Sequence, residues 1–259
     1  MKLKDRVSVI TGGGRGLGRE MALAFAREGA GVVVCGTAGA ALEEVAAEVR
    51  GGGGRSLAVV ADVADEAAVA RLVEAALAEF GQIDILVNNA GIIGPTADVT
   101  EVSRADWDQT LAVNLTGAFL CARAVLPHMA ARRQGKIINI ASVAGHKGYP
   151  LRAPYAVSKW GMIGLSQTLA QEWGRYNIQV NTISPGPVRG ERMAEVIRRR
   201  AEQSGRTVEE TEREYVGRLA LERFVEPGHV AATAVFLASS ESDSVTGETI
   251  RVSSGFGLA

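Results

Sequence analysis

Residues 6–28 read RVSVITGGGRGLGREMALAFARE. A short β-branched run ends at Thr11, Gly12, Gly13, Gly14, Arg15, Gly16, Leu17 and Gly18 follow, and a stretch rich in Ala, Leu and Met at helical spacing closes the segment. A strand, a tight turn and a helix are expected in that order. Glycines let the backbone turn sharply and bring its N–H groups close to a ligand, and a helix N-terminus favours negative charge. The turn therefore fits the pyrophosphate of a dinucleotide, with Gly12, Gly14, Arg15, Gly16, Leu17 and Gly18 around it.

Working outward, the alternation continues to the end of the chain. Short apolar runs at 6–10, 32–35, 57–61, 84–87, 136–140, 178–183 and 249–252 are separated by helical patterns at 17–28, 40–49, 66–80, 104–131, 156–176 and 229–238. Several of the short runs are nearly continuous in apolar residues, as in parallel strands buried on both faces. The expected fold is α/β, a single-domain Rossmann-type doubly wound parallel sheet of seven strands with helices on both faces. One domain spans 1–259, and Gly51 to Gly54 is a flexible connection inside it. Residues 189–223 hold 17 of the chain's 57 charged side chains, so they are expected as a helical lid over the sheet edge, outside the core.

Composition narrows the partners. Of 259 residues 47% are hydrophobic, enough for a sizeable core, and 28 basic against 29 acidic side chains give a net charge of −1. Such a balance leaves no electrostatic footprint for nucleic acid or an anionic membrane. No charge-free stretch, 29–42 and 109–122 included, exceeds 14 residues, short of the roughly 20 apolar residues of a membrane span. With no apolar run near Met1 resembling a signal peptide, a cytoplasmic protein is expected. Cys35 and Cys121 show no metal-ligand spacing and are expected as reduced, partly buried thiols, with no metal site.

Further motifs follow in fixed order: Asn88-Asn89-Ala90-Gly91, Asn114, Ser142, Tyr155-x-x-x-Lys159 and Pro185-Gly186. Tyr155 and Lys159 are four apart at the start of a helix, hence on one face. A tyrosine of ordinary pKa near 10 is a poor base at neutral pH, but a neighbouring ammonium and a nicotinamide cation both favour the phenolate. Tyr155 is thus the expected general acid/base. Together these residues make the chain resemble the short-chain dehydrogenase/reductase family of the classical type, locally its 3-oxoacyl-carrier-protein reductases. The resemblance implies that Lys159 lowers the Tyr155 pKa and bonds the nicotinamide ribose. It implies further that Ser142 orients the substrate oxygen and Asn114 holds a water in a proton relay. Asp62 and the Val63 backbone would bind adenine, Asn89, Ala90 and Gly91 would line the crevice, and Pro185, Gly186 and Val188 would contact the nicotinamide. Gly190 and Ser253-Ser254-Gly255 depart from the family's usual Thr and Asp-Gly-Gly.

The second strand ends at Gly36, where an NAD-selective Rossmann protein carries an acid for the ribose 2′-hydroxyl, and no acid occurs between Glu28 and Glu43. Arg15 and Thr37 can hold a 2′-phosphate. NADP(H) is expected as the preferred cofactor, with NAD(H) left open because relatives using NADP often have Arg in place of Thr37. The expected activity is oxidation of a secondary alcohol or reduction of a ketone, on a small-molecule substrate. A 3-oxoacyl thioester, a sugar or polyol, and a silent dinucleotide-sensing role all remain open. Apolar residues on several faces of the helices at 104–131 and 156–176 point, with the resemblance, to a homotetramer. His146, Arg152, Arg189 and Arg192 are the candidate substrate contacts. Two readings stand for these arginines: recognition of an anionic substrate, or a solvated lid whose Arg is balanced by Glu.

Overall fold

The structure is a computed structural model that describes residues 1–257; Leu258 and Ala259, the last two of the expected 1–259 unit, lie outside the described residues. Seven strands form one sheet: β1 (Val7–Thr11), β2 (Gly31–Gly36), β3 (Ser56–Val60), β4 (Ile85–Asn88), β5 (Gly135–Ile140), β6 (Ile178–Pro185) and β7 (Thr249–Val252). Their order is β3-β2-β1-β4-β5-β6-β7, and every pairing is parallel. The carboxyl ends therefore share one edge. After β3 the chain crosses back to place β4 beside β1, so the order reverses there and opens a crevice at that edge.

Strand side chains alternate between two cores. Ile10, Val32, Val34, Ile85, Val87 and Ile138 face α1 (Gly16–Arg27), α2 (Gly39–Gly51) and α9 (Pro227–Ala238). Val9, Val33, Cys35, Leu86, Ile137 and Val180 face the other side, with α3 (Glu66–Phe80), α5 (Gly117–Arg132) and α6 (Ala153–Trp173). The period of two explains why these strands read as continuous apolar runs: both faces are covered. Cys35 and Cys121 are free and buried; burial pushes both thiols up, Cys121 to about 12.

The continuous helix expected at 104–131 is found at Arg104–Arg132, with a π-helical turn inside it. It consists of α4 (Arg104–Leu111), a π-helical turn at Ala112–Thr116, and α5. Within that widened turn the Asn114 amide leaves the helix to bond the Ile92 backbone, which periodicity alone does not reveal. The whole run Arg104–Arg132 contains an 18-residue window of mean hydropathy 1.4, half of it buried, which a count of charge-free stretches passes over. Leu120, Cys121, Val125, Leu126 and Met129 use that apolarity to pack in the second core.

The charged segment leaves and returns through a bridge between Val188 and Val225. It forms α7 (Glu191–Ser204) and α8 (Val208–Val216), the latter opened by a capping box between Thr207 and Glu210. It is not wholly solvated. Ile197, Tyr215, Leu219 and Phe224 bury together in a small core of their own, so its apolar residues pack on one another while its charges face out.

Candidate active site

The glycine turn lies where β1 meets the crevice. Gly12 and Gly16 have φ of +64° and +54°, which other residues rarely adopt. A Cβ on Gly18 would stand 2.1 Å from the Gly12 carbonyl oxygen, so α1 can press on the turn only with glycine there. The space beside Gly16 is open, and α1 follows Arg15 with no side-chain cap and no acid in its first turn. A helix start with free N–H groups facing open space fits a pyrophosphate.

Asn89 fixes this turn to the next strand. Its amide donates to the carbonyls of Thr11 (2.8 Å) and Gly12 (3.2 Å), while Thr11 Oγ1 accepts from the backbone N–H of Asn89 and Ala90. Asn89 therefore shapes the crevice wall. Asp62, just after β3, is exposed and accepts from the Ala64 N–H, whereas Val63 is buried where a Cβ on Gly117 would strike it. Arg15 and Thr37 are both exposed near the ends of β1 and β2. A Cβ on Gly36 would meet only ordinary contacts, at 3.8 Å and beyond, so packing does not demand the missing acid.

Asn114, Lys159 and Gly91 converge: a Cβ on Gly91 would lie 3.2 Å from Asn114 Oδ1 and 3.7 Å from Lys159 Nζ. Asn114 is fully buried. Its Oδ1 accepts from the Ile92 N–H at 2.7 Å, and its Nδ2 donates to the Ile92 carbonyl (2.9 Å) and to Ser158 Oγ (3.1 Å). Ser158 Oγ in turn donates to the Tyr155 carbonyl at 2.7 Å. Lys159 is 4% exposed; its Nζ donates to the Ile140 carbonyl at 2.8 Å and stands 5.8 Å from the Tyr155 ring centre. Burial, with Arg192 adding, pushes Lys159 down to about 7. Ser142 opens the turn after β5, its Oγ accepting from the Ala144 N–H at 3.2 Å. Tyr155 is half-buried in the first turn of α6, where Pro154 starts the helix.

Motif reading missed Ser158 and the carbonyls of Ile92 and Ile140. A serine three residues from Tyr155 and four before Met162, on a helix face that otherwise buries Ala156, Lys159 and Met162, was the available signal for Ser158.

Pro185 ends β6, and Gly186 presses on β7, where a Cβ would lie 2.7 Å from Ser253 Cα. The four substrate candidates separate. His146 bonds Ser184 Oγ at 2.9 Å; burial and then Arg251 hold its pKa below the usual value. Arg189 is exposed, ion-paired to Glu226 at 2.9 Å and stacked on Phe224. Arg192 reaches across the crevice to the Gly91 carbonyl at 3.0 Å. Arg152 is half-buried, and among the described residues its guanidinium donates only to the Gly94 carbonyl, at 3.4 Å.

The short chain dehydrogenase family model matches residues 6–201. The 3-oxoacyl-[acyl-carrier-protein] reductase FabG of Thermotoga maritima is 36% identical over 98% of this chain and 99% of its own length. NAD+-bound xylitol dehydrogenase superposes with a TM-score of 0.94 at 32% identity, covering 98% of this chain and 100% of that one. A single-substitution variant of actinorhodin polyketide ketoreductase with NADPH gives 0.94 at 32% identity, covering 98% of each. With the crevice, the glycine turn and a match across nearly the whole chain, this protein belongs to the short-chain dehydrogenase/reductase family and is an NAD(P)-dependent oxidoreductase.

Proposed function

We propose that the protein interconverts a secondary alcohol and a ketone, with NADP(H) preferred and Tyr155 as general acid/base. The observation that carries this reading is the meeting of Tyr155, Lys159 and Asn114 at the crevice. When bound, the nicotinamide dinucleotide supplies the hydride-transferring group. The turn from Gly12 to Gly18 holds its pyrophosphate and Lys159 bonds its nicotinamide ribose. Asp62 and the Val63 backbone take the adenine, Ala90 and Gly91 line the crevice, and Pro185, Gly186 and Val188 meet the nicotinamide.

The Lys159 ammonium, 5.8 Å from the Tyr155 ring centre, favours the phenolate. In reduction the Tyr155 hydroxyl gives its proton to the substrate oxygen, and in oxidation the phenolate takes it back. Ser142 Oγ accepts one backbone bond and keeps its own O–H to orient that oxygen. Both amide protons of Asn114 are spent on Ile92 and Ser158, so its side chain offers the relay water acceptor capacity alone.

The cofactor preference rests on Gly36, where a Cβ would meet only ordinary contacts and no acid is present, and on the exposed Arg15 and Thr37. The ketoreductase neighbour carries NADPH and the xylitol dehydrogenase NAD+. We further propose a homotetramer, since Phe119 on α5 and Val157 and Trp160 on α6 are large, apolar and exposed.

Tyr155→Phe removes the proton donor and few other contacts, so turnover should fall by at least about 10²-fold with NADPH affinity nearly unchanged; retained turnover would refute the role. For the wild type, kcat/KM for NADPH should exceed that for NADH, and parity would overturn the preference. Between about pH 7 and the ordinary lysine range, free Lys159 is mostly neutral, and an anionic cofactor returns it to the charged form. Calorimetry of NADPH binding at about pH 8.5, in buffers of differing ionisation enthalpy, should show proton uptake that fades below about pH 6. No uptake at that alkaline pH would separate Lys159 from the cofactor. Light scattering at micromolar concentration should give the mass of four chains; a monomer would end the tetramer reading.

A further inference from the structure

The arginines around the crevice differ in their partners; Arg192 is exposed, donates to the Gly91 carbonyl and is paired to no carboxylate among the described residues. Arg189, Arg198, Arg199, Arg200, Arg206 and Arg218 on the charged segment each have a glutamate within 4.0 Å. Arg152 has no carboxylate partner among the described residues, although it is half-buried and these six are mostly exposed. A guanidinium carries five donors in a planar fork, and here one long contact to the Gly94 carbonyl uses a single one. Burial depresses its pKa, opposed by Tyr149, Tyr155 and Tyr215, while Arg199 adds further repulsion. Tyr215 is itself buried, its hydroxyl 3.5 Å from Arg200, and Tyr149 is half-buried in the same cluster. Three of the chain's four tyrosines thus act on a cation that has no carboxylate partner among the described residues.

We propose that the substrate carries a compact carboxylate, which Arg152 holds as a bidentate ion pair while Tyr155 acts on the carbonyl. This rests on the alcohol/ketone reading above and names its substrate class. Removing a guanidinium from water without a partner costs free energy that a carboxylate in the site offsets. Position selects among anions. Arg152 caps α6 and precedes Tyr155, in the first turn, by three residues, so on this proposal the anion sits only a few bonds from the reacting carbon. The phosphate of a pantetheine thioester ends a long flexible arm and would overshoot. Arg189, by contrast, is already matched by Glu226, which leaves it no part in the site.

The test is a series of oxo acids from acetoacetate to 5-oxohexanoate, each against its methyl ester, assayed with NADPH beside acetoacetyl-coenzyme A. At least one acid should exceed its ester in kcat/KM by about 10- to 100-fold, the worth of a charged hydrogen-bonded pair. Arg152→Gln should collapse that ratio towards one, and Arg152→Lys should restore part of it. Arg198→Gln, which removes a lid cation paired to Glu195, should leave the ratio as it was. The preferred acid should also raise the thermal midpoint of the NADP+ complex of the wild type and not of Arg152→Gln, a readout free of turnover. Equal rates for acids and esters, or a ratio indifferent to Arg152, would overturn the carboxylate. An Arg152-dependent advantage for acetoacetyl-coenzyme A over every acid would move the anion to the thioester's phosphate and overturn it as well. Failure of every carbonyl with either cofactor would instead overturn the alcohol/ketone reading on which the proposal stands.

Discussion

Keeping the Lys159 ammonium out of water is costly, and the site is organised around that cost. A lysine with 4% exposure and one carbonyl partner has two donors left over, and desolvation pushes its pKa to about 7. Such a group is poised to gain a proton when an acceptor or an anion arrives. The same burial brings it to Tyr155 in a region where charge–charge interactions are little screened. Arg192, reaching over the crevice to Gly91, works against the charged form until a negative ligand lies between them. The energetic deficit of the free protein and the capacity to bind are two aspects of one arrangement.

That arrangement requires rigid support, which the sheet provides through polar groups in its interior. Asn88 Nδ2 donates to Asn139 Oδ1 at 2.8 Å, Asn139 Nδ2 to Ser166 Oγ at 2.7 Å, and Thr182 Oγ1 to the same Ser166 oxygen. The chain ties β4, β5 and β6 to α6, and Asn88 also reaches the Ala118 carbonyl of α5. Buried hydrogen bonds of this kind, which leave only the Asn88 Oδ1 of the groups named here without a partner, select one packing among several that apolar contacts would tolerate. They hold α6, which carries Tyr155 and Lys159, in one register against the strands.

The fold was legible because its evidence is periodic. Runs buried on both faces, helices between them and a glycine turn after the first strand are written in local sequence, and the seven strands lie where those runs occur. The family was legible because its motifs keep their order over the whole chain. What the sequence did not disclose depends on non-local pairing. The π turn at Asn114 exists because an amide finds Ile92, 22 residues earlier. Ser158 looks like any helix serine until Asn114 is placed against it. Asn89 reads as a residue lining the crevice, and only the structure shows its Nδ2 tying Thr11 and Gly12 to the next strand. The lid's own small core was hidden by charge density, since Ile197, Tyr215, Leu219 and Phe224 are scattered through a segment dominated by Arg and Glu.

Charge counting ranks the arginines alike for the same reason. In sequence, Arg189 stands just after Pro185-Gly186 and Arg152 just before Tyr155, and both are equal candidates for an anion. The structure separates them by their partners. An exposed arginine that already has a glutamate gains little from a further anion, because the charge is screened by solvent and balanced at hand. A half-buried arginine with none gains much more, because the cost of desolvating it has already been met by folding. On the carboxylate proposal, specificity in this crevice turns less on how many cations surround it than on which of them folding has buried without a carboxylate partner.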